Sequence, residues 1–120
     1  MQGRSLLCGI LRTILENEVI KAIRTFLDYK KVLYFRVNNI PIPLKGGGFR
    51  RFTGKKGAPD LVCVVEPGLF VGIEVKRPGG KLSPDQIQFQ KEVQAKGGIY
   101  ICVSSVSELL QKLNQEGFTW

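Results

Sequence analysis

The sequence predicts an α/β fold in which a mixed sheet is flanked by helices in the order αβββαβα. Three observations carry that expectation. Apolar residues recur at helical spacing from about Arg12 to Tyr29, and two short, almost wholly apolar runs flank Glu66-Pro67-Gly68. A capped helix, a β-branched strand and a second helix then lead to the C-terminus. A length of 120 residues matches one domain with one core, so residues 1–120 are expected to form a single unit.

The first helix follows from Ile14, Leu15, Val19, Ala22, Ile23, Phe26 and Leu27, with Glu16, Lys21, Arg24 and Asp28 between them. Val32–Val37 is dense in β-branched and aromatic residues and reads as a strand ending at Asn38-Asn39. Beyond it, Pro41, Pro43, Gly46-Gly47-Gly48, Gly54 and Gly57 predict a long irregular loop, and such loops in compact domains tend to be functional. Leu61–Val65 and Phe70–Val75 form a tight antiparallel hairpin, apolar at nearly every position and so expected centrally in a sheet covered on both faces. Ser83-Pro84-Asp85-Gln86 supplies an N-cap and a proline at the first helical position. Ile87, Val93 and Ala95 carry that helix to a stop at Gly97-Gly98. Ile99–Val103 is the last strand, after which Ser104 or Ser105 caps a final helix with Val106, Leu109, Leu110 and Leu113 inward.

The charge is uneven. Eighteen Lys plus Arg against ten Asp plus Glu give a net charge of +8, which favours a polyanionic partner. Between Tyr29 and Pro59 no acidic residue occurs, while Lys30, Lys31, Arg36, Lys45, Arg50, Arg51, Lys55 and Lys56 do, and those eight equal the whole excess. Like charges crowded among glycines suit close approach to phosphates, so Lys45, Arg50, Arg51, Lys55 and Lys56 are candidate nucleic-acid contacts. The absence of histidine excludes His-dependent nucleophilic sites and His-ligated zinc, so a metal must sit on oxygen. Cys8, Cys63 and Cys102 are scattered and odd in number, which suggests neither a disulfide framework nor a thiolate site and points to a reducing cytoplasm. No apolar run is long enough to cross a membrane, and nothing suggests a small-molecule cofactor.

The chemistry concentrates in Gly57-Ala58-Pro59-Asp60-Leu61, Ile73-Glu74-Val75-Lys76 and Gln86. Alternation along a strand puts Glu74 and Lys76 on one side of the sheet, and burying such a pair is costly unless the groups pair or bind a metal. A two-residue turn would set Asp60 opposite Val75, whereas a three-residue connection with a bulge, which Gly68 permits, sets it across from Glu74. The second register presents two carboxylates to one point, as Mg²⁺ or Mn²⁺ requires, with the Val75 carbonyl a further candidate ligand. A metal there polarises a phosphoryl oxygen and acidifies a water that Lys76 orients, which suits phosphodiester hydrolysis.

Pro59-Asp60 followed by Glu74-Val75-Lys76 resembles the PD-(D/E)xK nuclease motif. The wider set of Gly57–Leu61, Ile73–Gly80, Leu82–Gln86 and Gly97-Gly98 is similar to the VRR-NUC (virus-type replication-repair nuclease) branch, over the span from the first helix to the last. The resemblance implies a restriction-endonuclease-like core. It implies Asp60 and Glu74 as metal ligands, Lys76 as the catalytic lysine and Gln86 as the helix-borne glutamine. The family also uses a first-helix glutamate; Glu16 and Glu18 both lie near its place, and Glu16 fits the spacing better. Arg36 and Asn38 fall where the family carries an Arg-x-Asn pair, and Arg77 beside Lys76 joins the expected nucleic-acid contacts.

The function expected is metal-dependent cleavage of DNA. Since nothing resembles a sequence-reading module, DNA structure should be recognised through its backbone. The resemblance to stand-alone members implies a homodimer acting on branched DNA such as four-way (Holliday) junctions, with apolar surface offered by Leu6, Leu7, Ile10, Leu11, Phe118 and Trp120. A monomeric flap or end nuclease is one rival, separated by oligomeric state. A non-catalytic basic nucleic-acid-binding module is another, separated by metal-dependent cleavage.

Overall fold

The computed structural model describes residues 2–37, 42–50 and 55–120, with side chains apart from those of residues 2–14, 42–43 and 49–50. Helix α1 (Gln2–Tyr29) leads to strands β1 (Leu33–Arg36), β2 (Ile42–Pro43), β3 (Phe49–Arg50), β4 (Leu61–Val65) and β5 (Leu69–Val75). Helix α2 (Pro84–Ala95), β6 (Ile99–Val103) and α3 (Val106–Gln115) follow. The main sheet has the order β1-β4-β5-β6, antiparallel except for the parallel β5–β6 pair, so the two most apolar strands lie centrally.

Two elements differ from the sequence reading. Helix α1 starts at Gln2 rather than near Arg12, because the apolar stretch Leu6–Leu15 continues the same helix. The glycine-rich connection is not wholly irregular, since β2 and β3 pair as a small hairpin. Gly46, Gly47 and Gly48 make its turn at φ +89°, +104° and +81°, a region that side-chain-bearing residues avoid, and Leu44 N–H donates to Gly48 O at 3.0 Å.

Strand alternation sorts the sheet into two faces. Leu61, Cys63, Val65, Val71, Ile73, Val75, Ile101 and Val103 meet Ile20, Ile23 and Leu27 of α1 and Leu109 and Leu113 of α3 in the core. Each fully buried Leu or Ile there contributes about 2 kcal/mol. Phe118 and Trp120, expected at an interface, are partly buried against this core, and the Trp120 ring lies 5.9 Å from that of Phe26. On the other face α2 covers Tyr100 through Phe89 and Gln90, while Ile87 is 41% exposed. The outer edge of β6 is blunted. Its outward carbonyls Tyr100 O and Cys102 O accept from Gln90 Nε2 and Lys112 Nζ, leaving no free acceptor for another strand there. Among the described residues no helix is long and apolar enough to cross a membrane.

Candidate active site

The β4–β5 register runs from Leu61↔Ile73 to Val65↔Leu69, which makes Glu66–Gly68 a three-residue connection with Gly68 at φ +110°. The five pairs are continuous, without the bulge the sequence reading invoked. One further step in that register sets Asp60 opposite Glu74, and Asp60 Oδ2 accepts from Val75 N–H at 2.8 Å. Asp60 is tied to β1 as well, since its carbonyl accepts from Val37 N–H at 2.9 Å.

Glu74 is the one buried charged side chain among the described residues, at 4% exposure. Its Oε2 accepts from Gln86 Nε2 at 2.5 Å and lies 3.4 Å from Lys76 Nζ. Burial first, and the Asp60 carboxylate second, push its pKa up to about 8, while Lys76 pulls in the opposite direction. Two ionised carboxylates cannot share so dry a place without a cation or a proton to offset them. An all-oxygen pair under that strain suits a hard divalent cation. Among the described residues no three carboxylate or thiol groups converge, so the residues that could hold a cation are Asp60 and Glu74, with the Val75 carbonyl as a further candidate.

Gln86 is oriented by its helix. Ser83 N–H donates to Gln86 Oε1 at 2.8 Å and Gln86 N–H donates to Ser83 Oγ at 3.2 Å, a reciprocal capping box that turns the amide nitrogen toward Glu74. Of the two first-helix glutamates, Glu16 reaches the site end, accepting from Arg77 N–H at 3.3 Å, whereas Glu18 is exposed.

The expected nucleic-acid contacts are dispersed. Arg36 pairs with Leu61, so alternation places it on the α1 side of the sheet while Glu74 and Lys76 share the α2 side; it is exposed at the same end as Asp60. Lys45 is exposed at the β2–β3 turn, and Lys55, Lys56 and Arg77 are exposed nearer the site. The backbone of Arg50 lies in β3, and Asn38 and Arg51 fall outside the described residues. Lys55 Nζ is 3.6 Å from Glu92 on α2, an exposed pair of little energetic weight. Sequence reasoning passed over Tyr100, which is 2% exposed and whose hydroxyl donates to Gly57 O at 3.1 Å. Burial holds that hydroxyl protonated and able to donate. Its only sequence signal is an aromatic in a strand, which marks any core.

The VRR-NUC domain family model matches residues 37–107, more than half of the chain. The chain belongs to the VRR-NUC family. A solved structure described as a VRR_NUC domain is 22% identical, covers 87% of this chain and 98% of its own, and superposes with a TM-score of 0.60, which shows a common fold. No curated protein matches the chain. The protein is thus a VRR-NUC domain with a restriction-endonuclease-like α/β core, and that family assigns it to the PD-(D/E)xK nucleases acting on DNA.

Proposed function

We propose that this VRR-NUC domain is a Mg²⁺- or Mn²⁺-dependent endonuclease that cuts branched DNA, four-way junctions in particular, as a homodimer. The observation that carries the catalytic reading is the convergence of Asp60, Glu74, Lys76 and Gln86 at one end of the central strands. Asp60, Glu74 and the Val75 carbonyl are the groups to hold the cation. When bound, it supplies Lewis-acid polarisation of the scissile phosphate and acidifies a water molecule.

The chain's own residues do the rest. Lys76, 26% exposed, can donate to a water entering from solvent and offset the negative charge that develops as the phosphorus–oxygen bond forms. Gln86 holds Glu74 Oε2 by one hydrogen bond, so the carboxylate rotamer is set before substrate arrives. Glu16 steadies the Arg77 backbone just beyond Lys76. Lys45, Arg50, Arg51, Lys55, Lys56 and Arg77, with Arg36 and Asn38, are proposed to contact the phosphate backbone, binding that ignores sequence.

Two-strand cleavage of a symmetric junction calls for two sites related by a two-fold axis. Phe118 and Trp120 are partly buried within the protomer, which supports an interface formed by the α1 segment carrying Leu6, Leu7, Ile10 and Leu11. Branched, flapped and linear DNAs incubated with Mg²⁺ or Mn²⁺ test the function: junctions should be cut in both strands, and no cleavage with either metal would overturn it. Light scattering should report twice the 13.4 kDa protomer mass. A strict monomer that cuts flaps better than junctions would favour the flap-nuclease reading.

A further inference from the structure

We propose that Tyr100 is a positioning residue for Asp60, acting through the segment Gly57–Pro59. The proposal rests on the reading of Asp60 and Glu74 as the cation-holding pair. Those two carboxylates are supported very differently. Glu74 belongs to β5, which is paired on both sides, whereas Asp60 ends a loop and is held by its own bonds to Val37 N–H and Val75 N–H together with whatever fixes the loop before it.

Tyr100 supplies that fixing from 43 residues beyond Gly57. Its ring lies 5.7 Å from that of Phe89, its carbonyl accepts from Gln90 Nε2 at 3.0 Å, and its hydroxyl donates to Gly57 O at 3.1 Å. Gly57, at φ +84°, is also pressed against α2, because a Cβ there would fall 2.1 Å from Asp85 O. Gly57 is therefore held between the Tyr100 hydroxyl and the first turn of α2.

Pro59 is wedged next. It is fully buried, and its ring fills the place of a side chain at Gly72, the register partner of Tyr100 on β5; a Cβ at Gly72 would come within 2.9 Å of Pro59 Cγ. With Gly57 tethered and Pro59 seated over Gly72, the loop delivers Asp60 to the place where its carboxylate meets Val75 N–H. The Tyr100 ring fills the core, but its oxygen sets the loop, and Tyr100→Phe separates the two.

The Tyr100→Phe protein should bind Mn²⁺ about fivefold more weakly by calorimetry and turn over saturating DNA about fivefold more slowly, the effect of one lost neutral hydrogen bond. Its DNA affinity without metal should equal that of the wild type, and its Tm should fall by no more than about 4–8 °C. Gly72→Ala, which pushes Pro59 from the opposite side, should raise the Mn²⁺ requirement in the same direction. Wild-type Mn²⁺ affinity and turnover in Tyr100→Phe would overturn the proposal, as would a loss of turnover that merely tracks unfolding at the assay temperature. Asp60→Asn is the control. If it still cleaves, the reading of the site has failed; if it is inactive while Tyr100→Phe is normal, only the role of Tyr100 has.

Discussion

The two ends of the central sheet are built from the same strands and do opposite things. At the β4–β5 connection, Lys30, Lys31, Val32, Leu33, Glu66, Phe118 and Trp120 line an open hollow of about 550 Å³, with charges exposed to water. At the far end a glutamate is buried among an aspartate, a lysine and a glutamine. This hollow and the desolvated charge lie at opposite ends of the strands. A polymer laid across a surface needs no cavity to enclose it, whereas a reaction on phosphate needs charges already placed and already desolvated. A hollow lined by exposed charges does not by itself mark a reaction centre, whereas desolvated charge marks a candidate one.

The largest expected effect tests that contrast directly. Asp60→Asn and Glu74→Gln should each lower cleavage at least about 10³-fold, and Lys76→Ala about 10²- to 10³-fold, with metal-free DNA binding retained. Lys30→Ala with Lys31→Ala should leave turnover within about twofold, since surface charges away from a site carry little. A loss at Lys30 and Lys31 equal to that at Asp60 would place the chemistry at the wrong end.

Stability against pH should separate the ends next. Because Glu74 is raised to about 8 in the folded metal-free protein, its protonated form favours folding. That stability is full below the ordinary carboxylate range and is lost as pH rises through 8, at up to about 1.4 kcal/mol per pH unit. Thermal melts in chelator should therefore show a falling Tm between pH 5 and pH 8.5, which Glu74→Gln abolishes and Mg²⁺ reverses. A metal-free Tm that is flat over that range would mean that Glu74 is not strained.

Replacing Arg50, Arg51, Lys55 and Lys56 with Ala should weaken binding to any DNA and flatten log K against log salt by up to about 0.9 for each phosphate no longer neutralised. An unchanged slope would move the DNA path off this connection. The smallest effect is that of Ser83→Ala, which removes the hydroxyl that accepts from Gln86 N–H and weakens the α2 cap by about 1 kcal/mol. It should lower cleavage only slightly, through fraying of that turn, because the Ser83 N–H that holds Gln86 Oε1 is kept.

The sequence makes the order of the main elements legible because hydrophobic period and turn chemistry are local. The proximity of Asp60, Glu74 and Lys76 is legible too, since a strand has period two and a three-residue connection leaves one register that joins both carboxylates. Contacts between distant elements are not. Neither the reach of Glu16 to the Arg77 amide nor the hydrogen bond from Tyr100 to Gly57 leaves a spacing to read. The β2–β3 hairpin escaped for another reason: a triple glycine lowers every propensity, though its freedom at positive φ is what permits the turn. Which residues of α2 meet the sheet is not legible either, since the contact is made through Phe89 and Gln90.

Gln86 carries a consequence for how the protein comes apart. One amide closes the first turn of α2 on its carbonyl side and grips Glu74 on its nitrogen side, so fraying that turn and releasing the carboxylate are a single event. On the proposed reading of the site, local opening near Ser83 should disarm the enzyme before the core melts, and amide hydrogen exchange at Gln86 and Ile87 should report the armed fraction of the population.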